Sequence, residues 1–272
     1  MSTDRPLVLV DGDPLAYKYG SLADPALAEY QASLLIGQLQ SQGEVRVFLT
    51  SPSSVKGYRY HIAKTAPYQG NRSDSKGTFP CKGRVRAYLK SLPGTQETSL
   101  LEADDLLAQA SREAPGSLIY SPDKDMMGLA GGFLRLENPL MEPTWVAPEA
   151  SWWDPERKNY WGWRQPLYQI LTGDRADNIK PILPSLKPKQ AREILDASGS
   201  RQEALQAVMD LLLRSGAQPE RIVEQTALVA LSGAPNPAKR VGEFWGRLTG
   251  QPLIPTMQVL SNTWRTSWLQ SS

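Results

Sequence analysis

In 272 residues the sequence has one cysteine, Cys81, and one histidine, His61. A lone cysteine closes no internal disulfide, and a reducing compartment is the simpler reading. One residue of each kind is too few for a structural zinc site, so any metal held by this chain must be bound by oxygen. Long apolar runs are also missing: no stretch approaches the roughly 20 residues of a membrane span. The start, MSTDRPLVLVDGD, has too short an apolar stretch and too early an aspartate for a secretory signal. A soluble, cytoplasmic chain without membrane partners is expected. Net charge is scarce too, +2 from 30 basic and 28 acidic residues, which alone says nothing about partners. What is present is ordinary: 40% hydrophobic and 21% charged residues argue against wholesale disorder, and the length allows one large domain or a core with a smaller lobe.

The charge is sorted along the chain. From Lys56 to Leu92 nine basic residues face the single acid Asp74, whereas from Leu101 to Asn178 acids outnumber bases thirteen to seven. The acids arrive in groups: Asp11 and Asp13; Glu102, Asp104 and Asp105; Asp123 and Asp125; Asp174 and Asp177. Each block alone reads as a solvated surface face. Together, a basic apron and concentrated carboxylates are what a phosphodiester and its divalent ions require.

The apolar run LVLV before Asp11 reads as a buried central strand. Leu27, Tyr30, Leu34, Leu35 and Leu39 recur at helical spacing, and Val45 to Leu49 follow as a second strand, which predicts an α/β fold with a mainly parallel sheet. Residues 51–80 have little periodicity and several Gly and Pro, the pattern of a long basic mobile loop. Helices are expected from Val85 to Leu92 and around Leu100 to Ala110, a strand at Ser117 to Ser121, and a shorter one from Gly132 to Leu136. Five of eight tryptophans lie between Trp145 and Trp163, read as packing of an irregular connection. Beyond Pro166 the pattern is helical, so the expected domains are a core at 1–165, including a basic arch at 51–90, and a helical DNA-binding lobe and tail at 166–272. The tail, with Trp264 and Trp268, shows no clear element.

In open parallel sheets, function collects outside the carboxyl ends of the strands. The acids after the first strand and after the SLIYS strand fall there. On a helix Glu102 and Asp105 share a face and Asp104 points away, so if all three serve one site the segment must begin irregularly or the site must straddle the helix start. Crowded carboxylates repel unless cations neutralise them, and two Mg²⁺ or Mn²⁺ ions are the natural cofactors for an oxygen-only set.

LVLVDGD at 7–13, APYQGNR at 66–72, LEADDLL at 101–107, YSPDKDM at 120–126 and LTGDRADNIK at 171–180 resemble, in order and approximate spacing, the motifs of the 5′-nuclease superfamily. The resemblance spans roughly residues 7–200 and, by length, is most similar to free-standing phage 5′→3′ exonucleases and flap endonucleases. It implies a PIN-like core, an arch over the active site and a helix-hairpin-helix lobe gripping duplex DNA. It implies that Asp11, Glu102, Asp104, Asp123, Asp125, Asp174 and Asp177 bind metal, with Asp105 as a further catalytic acid. The implied DNA contacts are Tyr68, Gln69, Arg72, Lys64 and Lys82 in the basic segment and Lys187, Lys189 and Arg192 in the lobe.

Three departures stand out. Thr50 and Ser51 follow the second strand where the family has an acid; Gln69 replaces the lysine of YK-x-N-R, leaving Arg72 the first candidate to supply positive charge to the phosphate; and ILPSLKPKQ replaces a glycine-rich hairpin. The expected partner is DNA with a 5′ end, nick or flap, and the protein a monomer. Removal of RNA from RNA·DNA hybrids and a catalytically weakened DNA-binding protein are the alternatives.

Overall fold

LVLVD forms β1 (Leu7–Asp11), with Val8, Leu9 and Val10 fully buried, as a strand covered on both faces must be. It pairs in parallel with β2 (Glu44–Thr50) on one side and β4 (Leu118–Tyr120) on the other. Beyond β2 lies β3 (Gln96–Thr98), and beyond β4 lies β5 (Gly131–Phe133), both parallel. β6 (Thr144–Val146) closes that edge antiparallel, giving a six-stranded order β3-β2-β1-β4-β5-β6. The expected mixed, mainly parallel sheet is therefore present, with β1 at its centre.

The computed structural model describes residues 5–52, 57–74, 77–234 and 236–249; the tail tryptophans Trp264 and Trp268 lie outside them. Among the described residues no helix is long and apolar enough to cross a membrane. The chain divides into two units, Met1–Lys56 with Ser75–Ala150 and Gly57–Asp74 with Ser151–Ser272. By packing, residues 57–74 and 151–165 thus go with the C-terminal helices, whereas the sequence pattern grouped them with the core.

In the first unit α1 (Gly12–Gly20), α2 (Pro25–Gln42) and α4 (Lys82–Ser91) bury Leu15, Ala28, Leu35, Leu39, Val85 and Leu89 against Val8, Val10, Val47 and Leu49. α2 starts where Asp24 accepts the Ala26 N–H at 2.8 Å, with Pro25 in its first turn. Its inward stripe corrects the sequence reading. Ala28, Ala32, Leu35, Ile36 and Leu39 are buried while Leu27, Tyr30 and Leu34 are exposed; spacing alone does not tell which of two overlapping stripes is small enough for close packing. α5 (Ala103–Glu113) packs against β1 and β2.

The second unit contains a hairpin, β7 (Ser151–Asp154) with β8 (Asn159–Gly162), then α6 (Arg164–Thr172), α7 (Pro188–Asp196), α8 (Arg201–Arg214), α9 (Pro219–Val229) and α10 (Pro237–Thr249). The region expected to be an irregular connection is therefore ordered strand. Trp161 and Trp163 are buried and Trp153 packs edge-to-face on Tyr160 and Tyr168, while Trp145 and Trp152 are exposed.

Residues 57–74 are likewise not a loop outside the core. Their α3 (Arg59–Ile62) packs on α9, and Tyr58, Arg59, Ile62 and Tyr68 are buried. The carbonyls that end α9 have no partners within the helix. Instead the Tyr58 hydroxyl donates to Ala227 O at 2.7 Å and Arg59 Nε to Leu228 O at 2.9 Å. Glu224 of α9 accepts from Lys64 N–H (2.8 Å), Thr65 N–H (2.9 Å) and the Thr65 hydroxyl (2.8 Å). All but the Thr65 hydroxyl bond join a side chain to backbone, and all span 159–169 residues of sequence, which no local periodicity signals. Arg59→Met, which keeps bulk but removes the donors, is expected to destabilise this unit by about 2–3 kcal/mol and to speed limited proteolysis within 57–74. An unchanged urea midpoint would show that the α9 end does not depend on Arg59.

Candidate metal centre

Asp11 is the last residue of β1, and α1 begins at the next residue. Gly12 permits that junction, because a Cβ there would sit 2.7 Å from the Val47 and Leu49 side chains and 2.9 Å from Phe48 O. Asp11 is 5% exposed. Burial first, then the negative charges of Asp123 and Asp13, push its carboxyl up to about 8. The Ser121 hydroxyl, donating at 2.9 Å, and the backbone N–H of Asp13 offset this only in part. Asp123 and Asp125 follow β4, and because β1 and β4 are adjacent and parallel their carboxyl ends share one edge of the sheet. Ser121 ties the two strand ends together, accepting the Asp123 N–H at 3.0 Å while donating to Asp11. Asp123 in turn accepts the Asp125 N–H at 2.9 Å.

Glu102 precedes α5 in extended conformation (φ −97°, ψ 160°), while Asp104 and Asp105 lie in its first turn. The acidic group therefore straddles the helix start. Asp105 is fully buried and accepts the Glu102 N–H at 3.3 Å; Asp104 accepts the Asp105 N–H at 2.7 Å. Asp13 binds inward: Arg86 reaches it at 2.7 Å and the Thr50 N–H at 3.0 Å. Arg86 also meets Glu97 at 2.7 Å, whose carboxyl is held below its usual range by Lys90 first, against burial, and then by Arg86. The acids described in this unit offer oxygen donors alone, and those nearest Asp11 add charge to the set. A hard divalent cation fits such a set.

The second unit presents Asp174 and Asp177 in the turn after α6. Gly173 has φ +70°, and a Cβ there would overlap the Ile179 carbonyl oxygen, so the glycine of the GD-x-x-DN element is a steric requirement. Asp174 is 2% exposed and accepts from Gln169 Nε2 (3.2 Å) and the Ala176 N–H (2.8 Å). Asp177 is held from the 57–74 segment. Tyr68 donates its hydroxyl at 3.2 Å and Gln69 its Nε2 at 3.1 Å, and the Arg72 guanidinium forms an ion pair with it. The Gln69 N–H bonds the Asp177 carbonyl at 2.9 Å, Asn71 bonds Arg175 O at 2.8 Å, and Asn178 bonds Pro67 O at 2.9 Å. Tyr68, expected among the DNA contacts, is 5% exposed, its ring edge-to-face with Tyr60 and its hydroxyl on Asp177.

No family model matches this chain, and no curated protein matches it. Solved structures do. Bacteriophage T5 5′-exonuclease with bound zinc is 15% identical with a TM-score of 0.54, and the bacteriophage T5 flap endonuclease co-crystallised with metal ions is 15% identical with a TM-score of 0.53. Each alignment covers 94% of this chain and 97% of the other. A complex of the T5 flap endonuclease with DNA and metal ions aligns over 89% of this chain and 98% of the other, at 15% identity and a TM-score of 0.50. The likeness is one of fold.

The remaining sequence candidates vary in setting. Lys64, Lys187 and Lys189 are exposed. Lys82 lies over the Tyr17 ring at 3.5 Å, and Arg192 pairs with Asp196 at 3.0 Å and lies over Trp153 at 4.8 Å. Sequence reasoning missed Arg86, Glu97 and Ser121, whose partners lie on other strands and helices; the only local signal was the Thr50-Ser51 departure.

Because the folded-state value of Asp11 lies above its unfolded one, the native state binds more protons between about pH 4 and pH 8. Its contribution to stability is therefore complete at low pH and lost as pH rises through about 8, at up to ~1.4 kcal/mol per pH unit. Asp11→Asn removes this dependence. With chelator present, the variant should unfold at higher temperature than wild type at pH 8, the difference shrinking towards pH 4. A pH-independent difference would contradict the burial of an uncompensated acid.

Proposed function

We propose that this protein is a divalent-metal-dependent nuclease that hydrolyses phosphodiester bonds at DNA 5′ ends, a 5′→3′ exonuclease with flap endonuclease activity. The observation that carries the reading is Asp11 at the carboxyl end of the central strand, its carboxyl raised first by burial and then by neighbouring Asp123 and Asp13, on a fold shared with phage enzymes whose structures contain metal ions and DNA. Asp11, Glu102, Asp104, Asp123 and Asp125 are the proposed ligands in the first unit, and Asp174 and Asp177 in the second. Two Mg²⁺ or Mn²⁺ ions bound by these acids would supply Lewis acidity towards the phosphodiester and charge compensation at its leaving oxygen.

The chain's own groups set the conditions. Asp11 carries a proton at neutral pH that must leave before both its oxygens can act as ligands, so ion uptake releases acid. The Ser121 hydroxyl orients the same carboxylate. Affinity for the polyanion comes from lysine and arginine contacts with phosphates, for which exposed Lys64, Lys187 and Lys189 are proposed, with Lys82 and Arg192. Arg72 is proposed to contribute from its place beside Asp177, where its side chain remains 53% exposed. Gln69 is bonded to Asp177 and accepts from the Tyr60 hydroxyl at 2.7 Å, so at position 69 an amide holds the turn in place of a lysine charge.

End-labelled duplex, nicked, flap and RNA·DNA hybrid substrates, incubated with Mg²⁺ or Mn²⁺ and sized, test the proposal. Short products from DNA 5′ ends support it, preferential loss of RNA from hybrids redirects it to primer removal, and binding without metal-dependent cleavage leaves a DNA-binding protein. Asp123→Ala and Asp174→Ala should each slow single-turnover cleavage by more than the 10- to 100-fold typical of a lost outer-shell partner, with DNA affinity retained. Parallel loss of affinity and cleavage would instead indicate damage to the fold.

A further inference from the structure

Thr50 ends β2, and each of its three polar groups serves a different helix of the first unit. Its N–H donates to Asp13 Oδ2 in α1 at 3.0 Å, its carbonyl accepts from Arg86 Nη2 in α4 at 2.6 Å, and its hydroxyl oxygen accepts from Ala103 N at 2.9 Å. Ala103 is the first residue of α5 and directly follows Glu102. The first N–H groups of a helix have no partner within it. Here two successive ones are fixed: Glu102 N–H by buried Asp105, and Ala103 N–H by a side chain 53 residues away. The direction in which the chain enters α5, and with it the backbone that carries Glu102, is set from β2.

The same residue confines Asp13. One oxygen takes the Thr50 N–H and the other takes Arg86 Nη1 at 2.7 Å, while Arg86 is itself held by Thr50 O and Glu97. The side chain that does this is neutral. An acid at this strand end would add a further negative charge beside Asp13, whereas a hydroxyl accepts the helix N–H without one.

We propose that Thr50 is a positioning residue of the divalent-cation site: its hydroxyl orients Glu102 through Ala103 N–H, and its backbone, with Arg86, commits Asp13 to structure. The proposal rests on the nuclease reading and deepens it. It gives position 50 a part in metal binding that charge alone would not assign.

The test is calorimetric titration of the full chain with Mn²⁺. Thr50→Val keeps the shape and removes the acceptor; it is expected to weaken Mn²⁺ binding by about 10- to 100-fold, and Thr50→Ser to restore it. In a Glu102→Ala background Thr50→Val should add little, because the two changes act through one ligand. Far-UV circular dichroism and urea midpoints in chelator separate this from a loss of fold, and Thr50→Ala replaces Thr50→Val if the latter fails to fold. Unchanged Mn²⁺ affinity in the variants, or a Thr50 effect just as large without Glu102, overturns the proposal while leaving the nuclease reading in place. A wild-type chain that takes up no Mn²⁺ overturns both.

Discussion

Like charges crowded into a low-dielectric edge of the sheet are the constraint around which the first unit is organised. Asp11 must sit at the carboxyl end of β1, between β2 and β4, and the burial that makes this strand a core element also makes its terminal carboxylate costly to ionise. The unit manages the neighbouring acids in two ways. Asp13 and Glu97 are neutralised by Arg86, a guanidinium whose fork meets both carboxylates. Asp11 and Asp123 receive hydrogen bonds from hydroxyl and backbone groups.

The second unit meets a different requirement, the shape of a tight turn. Gly173 lets the chain double back so that Asp174 and Ile179 bond each other's backbone in both directions. Residues 67–72 then hold that turn from outside through Asp177, Arg175 and Asn178. The segment is basic, yet its buried members work as fasteners: Arg59 on the carbonyls ending α9, Tyr68 on Asp177. Positive charge in a sequence block is thus divided between groups that face solvent, such as Lys64, and groups consumed in folding.

What could be read from the sequence was what has a short range. The apolar run of β1, the strand at 45–49, the acids at strand ends and the helical periodicity after Pro166 follow from local patterns, and they sufficed for an α/β sheet with a helical lobe. The order of the acids was legible for the same reason. Side-chain assignments over long separations were not. Nothing near Tyr68 signals a partner at Asp177, nothing near Arg86 signals Asp13, and the exposed stripe of α2 has the same spacing as its buried one. The Trp145–Trp163 stretch failed differently: its strands are three or four residues long, too short for alternation to show.

The central claim is that Asp11 and Asp123 form a divalent-cation site at the carboxyl end of the central strand. It is tested most directly by crystals of the wild-type protein grown with Mn²⁺ and measured for anomalous scattering. The expected result is an anomalous peak within coordination distance of an Asp11 carboxylate oxygen, about 2.2 Å for a hard divalent ion bound by oxygen, with Asp123 in the same coordination sphere. Manganese bound only at other acids, with Asp11 still hydrogen-bonded to Ser121 and free of metal, would contradict it.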